Sequence, residues 1–130
     1  MRFHFVVLLS FVLSTGAFAG LDGTASGLLP YFRILYEMKA DGASTSAIKE
    51  GDRVGVGFAL GLVSGVSLVT QEMQRGGALS KDLDIDLGTS GVRSMIVYKY
   101  LIDHPERLTE KDNMVVLMAF LDAIKKKNGL

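Results

Sequence analysis

The chain contains no cysteine and no tryptophan, has only two prolines and two histidines, and carries no excess of either charge. Without cysteine there is no disulfide framework, no thiol nucleophile and no lipid anchor on an N-terminal cysteine. Fourteen basic groups balance fourteen acidic ones, which argues against nucleic acid as a partner, since such proteins carry a basic excess that displaces condensed counterions. His104 is the only histidine beyond residue 19, so a multi-histidine metal site has no ligands and a serine triad would depend on that single ring. No pair of carboxylates stands at a spacing that suggests general acid–base chemistry. The residues therefore point to a protein that is not an enzyme and needs no cofactor or metal.

What is present divides into two parts. Met1 to His4 is short and basic, Phe5 to Leu13 is an uncharged apolar run, and Ala17-Phe18-Ala19 supplies small residues at a cleavage position. Residues 1–19 read as a signal peptide cut before Gly20, with the periplasm as the destination. Residues 20–130 remain as a single domain, apolar enough without the first nineteen residues to bury a core.

Apolar spacing over this domain predicts an all-α bundle of four to five helices. The first follows a cap at Thr24 or Ser26, places Pro30 in its first turn and ends near Lys39. The second runs from Ile48 to about Met73. Gln71 to Gly91 reads as a long loop or one short strand, Ser90 caps the third helix, and Pro105 ends it. Thr109 and Asp112 resemble a capping box for a fourth helix that runs to about Lys126. Its stretch Met114 to Leu121 is apolar on nearly every side, which suggests a central or interfacial helix; Lys125, Lys126 and Lys127 suit its negative pole.

Three features invite a function. Gly57, Gly61 and Gly65 recur every fourth residue in the second helix, where each glycine costs roughly 1 kcal/mol against alanine. Their spacing predicts a groove that receives a helix backbone or an aromatic ring, so that Gly61→Leu should overpack it. The uncharged run Val54–Thr70 has small-xxx-small spacing, but it is short for a span and rich in glycine and serine, so no stable membrane insertion is expected. Asp82, Asp84 and Asp86 alternate with Leu83, Ile85 and Leu87 as an exposed acidic edge. They do not complete a calcium loop, because Leu87 stands where glycine is needed and Arg93 where a bidentate glutamate belongs. An acidic loop of this kind could steer a protein partner with a basic rim.

The stretch Val97-Tyr98-Lys99-Tyr100-Leu101-Ile102-Asp103-His104-Pro105-Glu106, with the glycine-patterned Gly57-Phe58-Ala59-Leu60-Gly61 and the exported N-terminus, resembles the Rap/Tai family of type VI secretion immunity proteins. The resemblance implies an all-α periplasmic homodimer that blocks a peptidoglycan amidase by occluding its active-site cleft. Tyr100, Leu101, His104, Pro105 and Glu106 then belong to a helix junction, and the inhibitory contacts are expected on Asp82, Asp84 and Asp86. The alternatives are an acid-stress chaperone of HdeA-like type and a small exported helical interaction protein with another partner.

Overall fold

The computed structural model describes residues 21–130, so the expected signal peptide and its cleavage point lie outside the described part. Four helices follow one another: α1 (Ala25–Asp41), α2 (Arg53–Arg75), α3 (Ser90–Asp103) and α4 (Asp112–Lys127). Short 3-10 turns occupy Thr45–Ala47, Glu50–Asp52 and Pro105–Arg107. The fold is all-α; among the described residues there is no strand, only an isolated antiparallel bridge between Thr24 and Lys111.

Each helix touches the other three, because each presents an apolar stripe at helical spacing. In α1 the stripe is Leu28, Phe32 and Leu35. In α2 it includes Val56, Ala59, Val63 and Val66, and in α4 it includes Val116, Phe120 and Ile124. Phe32 and Phe120 are wholly buried; each such side chain contributes about 1.5–3 kcal/mol by leaving water. α4 is less central than its composition predicts. Met114 remains 46% exposed, and Leu117, Met118 and Leu121 are only half-buried.

Several boundaries and caps differ from the sequence expectation, and tertiary contacts explain those at the starts of α1 and α4. Thr24 does occupy the N-cap of α1, yet its side chain does not cap; its hydroxyl bonds to Asp22 Oδ1 at 2.6 Å. The free amides of α1 are satisfied across the fold instead, where Ala25 N–H donates to the Glu110 carbonyl at 3.0 Å and Ser26 N–H to that of Leu108 at 2.8 Å. These bonds occupy the linker before α4, which begins at Asp112 behind Lys111 with no side-chain cap. The Thr109–Asp112 capping box does not form. Pro30 is the sixth residue of α1 rather than a first-turn residue, so the Ser26 carbonyl loses its helical donor.

Gly42 takes φ 66° and returns its N–H to Met38, a left-handed stop that ends α1. Residues 48–52 lie outside the regular α2 helix, which begins at Arg53 but continues past Met73 to Arg75. Thr89, not Ser90, caps α3, accepting from Val92 N–H at 3.4 Å.

The glycine groove is the main correction. Gly57 and Gly61 are exposed, and a Cβ built on either meets nothing within 4 Å. Gly65 is half-buried. The ring that presses on α2 does so at Gly55, where a Cβ would collide with the Tyr31 ring. Gly61→Leu therefore points into open space in a single chain instead of overpacking it. By length and composition the segment Glu50–Arg75 could cross a membrane, but half of its most apolar window is buried inside the bundle.

Candidate functional site

The chain from Leu83 to Leu87, beyond the end of α2, makes no strand pairing, and its residues alternate between half-buried and exposed as those of an extended segment do. Side chains of an extended chain alternate between faces. Leu83, Ile85 and Leu87 are half-buried, whereas Asp82, Asp84 and Asp86 face solvent. The apolar residues thus anchor the segment, and the three carboxylates line its outer edge.

Side chains from two helix ends hold this segment in place. Gln74, near the end of α2, donates through Nε2 to the Ser80 carbonyl at 3.0 Å and to that of Leu83 at 2.8 Å. At the end of α4, Asn128 pairs with Asp84 in both directions: Asp84 N–H donates to Asn128 Oδ1 at 2.9 Å, and Asn128 Nδ2 donates to the Asp84 carbonyl at 3.0 Å. Lys127 Nζ stands 2.7 Å from Asp84 Oδ2 and also donates to the Asp86 carbonyl.

Within the segment, Asp86 N–H donates to Asp84 Oδ1 at 3.1 Å, and Gly88 N–H to Asp86 Oδ1 at 2.8 Å. The Lys127 ammonium, helped by the Asp86 N–H, holds the Asp84 carboxyl below its ordinary range. The acidic edge is therefore a fixed shelf rather than a protruding loop. Asp84 and Asp86 spend part of their bonding capacity within the fold. Asp82 contributes its backbone N–H to Ser80 Oγ at 3.3 Å, and its carboxylate makes no ion pair among the described residues. Beside the shelf an open cleft of about 320 Å3 is lined by Gln71, Gln74, Arg75, Lys81 and Ile85.

The chemistry of the α3–α4 junction is of another kind. Tyr100 and His104 pack with ring centroids 4.3 Å apart, and His104 Nδ1 lies 3.1 Å from Glu106 Oε1. Burial pushes the Tyr100 hydroxyl up, while the Glu106 backbone N–H, followed by the His104 contact, pulls the Glu106 carboxyl down. Leu101 is buried in the core. Pro105 opens the 3-10 turn in which Arg107 reaches Glu110 at 3.2 Å and Met118 Sδ at 3.2 Å. These residues tie the two helices together. They lie at the opposite end of α3 from the acidic shelf, about 20 Å away for a helix of this length.

Among the described residues, no group of three or more His, Cys, Asp or Glu side chains is placed to hold a metal ion. The carboxylates are legible in the sequence, whereas Gln74 and Asn128 are not singled out by it. Asn128-Gly129 directly after the last helix was the available signal, because asparagine there can turn back on carbonyls; its Nδ2 also reaches Ile124 O at 2.8 Å. No protein-family model, curated protein or solved structure matches the chain.

Proposed function

We propose that this chain is a periplasmic immunity protein of Rap/Tai type, which binds a type VI secretion peptidoglycan amidase and occludes its active-site cleft. The observation that supports this reading is the shelf: Asp82, Asp84 and Asp86 stand outward at alternate positions of a segment clamped by Gln74, Lys127 and Asn128. A clamped segment binds without the ordering cost that a mobile loop bears. Its carboxylates match a basic rim around an enzyme cleft and speed encounter with it. Recognition borne by a loop on a rigid scaffold is the common arrangement. In this reading the protein is not itself an enzyme, takes no cofactor, and works as a homodimer.

The test uses the mature chain from Gly20 as bait at neutral and acid pH. The expected result is one stoichiometric peptidoglycan amidase at neutral pH, whose activity falls as the chain is added. Reversing the three aspartates should slow association at low salt. Unchanged association after reversal would remove the shelf from the interface. Capture of many unrelated clients in acid alone would replace the immunity reading with that of a chaperone.

A further inference from the structure

Gly57 and Gly61 present a cost that the single chain does not explain. Each exposes backbone on the outer face of α2, and each would accept a Cβ with nothing nearby. Glycine in a helix interior is justified where another backbone must come close. The surrounding face is laid out as a seam. Glu50, in the 3-10 turn that leads into α2, is followed by Val54, Gly57, Gly61, Ser64, Leu68, Gln71 and Arg75 at alternating steps of four and three residues, and all eight are exposed. No charged residue lies between Arg53 and Glu72, and Val54 and Leu68 are 59% and 52% exposed. A 3.5-residue repeat is the spacing by which two helices keep facing each other.

We propose that this face of α2 is a self-recognition surface on which a second copy of the chain packs its own α2 antiparallel, about a two-fold axis passing between Leu62 and Val63. That axis places Gly61 opposite Ser64 of the other copy and Gly57 opposite Leu68, so the protruding leucine fills the space the glycine leaves. Val54 falls opposite Gln71, and Glu50 opposite Arg75. Two-fold symmetry repeats each pairing, as an isologous contact requires.

The charges agree with this register. Arg75, with Lys81, Gln71 and Ile85, lines the open cleft at the end of the seam. Glu50 and Val54 arriving from the other copy bring a carboxylate to its two cations and an apolar group to Ile85. Arg75 already lies 2.6 Å from Glu72 on its own helix, and its exposed guanidinium retains further donors for a second carboxylate. The proposal gives the homodimer named above a face and a register, and it stands or falls separately from the amidase.

Absence of cysteine allows a direct test on the exported full chain. Gly57→Cys and Leu68→Cys chains, mixed and oxidised mildly, should give a disulfide-linked dimer, because a bridge needs Cα atoms within about 7 Å. Neither variant alone should cross-link, since like positions would lie about 16 Å apart along the axis. In sedimentation, Glu50→Arg or Arg75→Glu alone should weaken the dimer about three- to tenfold, and the two together should restore it. Gly61→Leu should leave helicity intact and abolish the dimer. Sedimentation of the unmodified chain as a monomer at every concentration overturns the proposal, whether or not it then partitions onto lipid vesicles. So does cross-linking by Gly57→Cys alone, or failure of the double charge reversal to rescue.

Discussion

The two ends of α4 each hold an irregular segment of chain through an aspartate, and they do so with opposite electrostatics. At the C-terminal end, Asp84 meets Lys127, and its carboxyl is held below the ordinary range. At the N-terminal end, Asp112 is 7% exposed, and its carboxyl is pushed up, chiefly by burial, with the charge of Asp22 adding to it. Its own backbone partner, the Asn113 N–H at 2.6 Å, only partly offsets this. Both ends obey the helix dipole, which favours an anion at the start and a cation at the end. The comparison shows that the dipole does not decide the outcome at either end. Solvent access and the nearest charge do.

The ends also differ in what carries the attachment. At the N-terminal end it is apolar and backbone: Leu21 is buried, and Asp112 N–H donates to the Gly23 carbonyl at 3.1 Å beside the two bonds from α1 to the linker. Leu21→Ala should therefore have the largest effect, a loss of about 2–5 kcal/mol in denaturant unfolding. An effect below that range would mean that the backbone bonds alone hold the segment. At the other end side chains do the holding. Asn128→Ala removes both bonds to Asp84, and a loss of about 1–2 kcal/mol is expected, with faster hydrogen exchange at the Asp84 amide. Exchange that stays slow there would show that Lys127 and Gln74 suffice.

Lys127→Met sharpens the contrast through pH. Because the Asp84 pKa is depressed in the folded chain, its stabilisation is complete above the ordinary carboxylate value, about 4, and is lost as pH falls through and below it. The variant should therefore lose stability at neutral pH and show a shallower acid limb. Equal slopes for variant and unmodified chain would make the pair electrostatically idle, as many exposed pairs are.

What the sequence makes legible follows the range of the interactions involved. Four helices could be read because apolar stripes such as Leu28, Phe32 and Leu35 are set by local periodicity. The stop before Pro105 was equally local. Capping bonds are not legible where distant chain takes over the role, as Leu108 and Glu110 do for α1 behind its N-cap Thr24. The glycine spacing predicts a buried groove because spacing shows a face and not what covers it. Tyr31, on α1 and separated from Gly55 by the rest of that helix and two 3-10 turns, presses on that glycine instead. For the candidate site, the alternation of Asp82 to Leu87 predicts an acidic outer edge. The bonds from Asn128 and Lys127 cross more than forty residues and have no local signature.

The smallest effect expected is at Asp112, and its sign separates the two ends most cleanly. A carboxyl whose folded pKa is raised costs stability above that pKa, and acid relieves the cost as the group takes up its proton. Asp112→Asn keeps an oxygen for the Asn113 amide while removing the charge that burial and Asp22 oppose. It should raise stability slightly at neutral pH, and the gain should shrink toward zero as the pH is lowered and Asp112 in the unmodified chain becomes neutral. The dipole at the start of α4 works against the gain, because it favours the charged form. Urea unfolding of the two chains at neutral and acid pH decides between these influences. A variant that is less stable at neutral pH would mean that the helix terminus outweighs burial, and that the two ends of α4 differ in geometry but not in electrostatic sign.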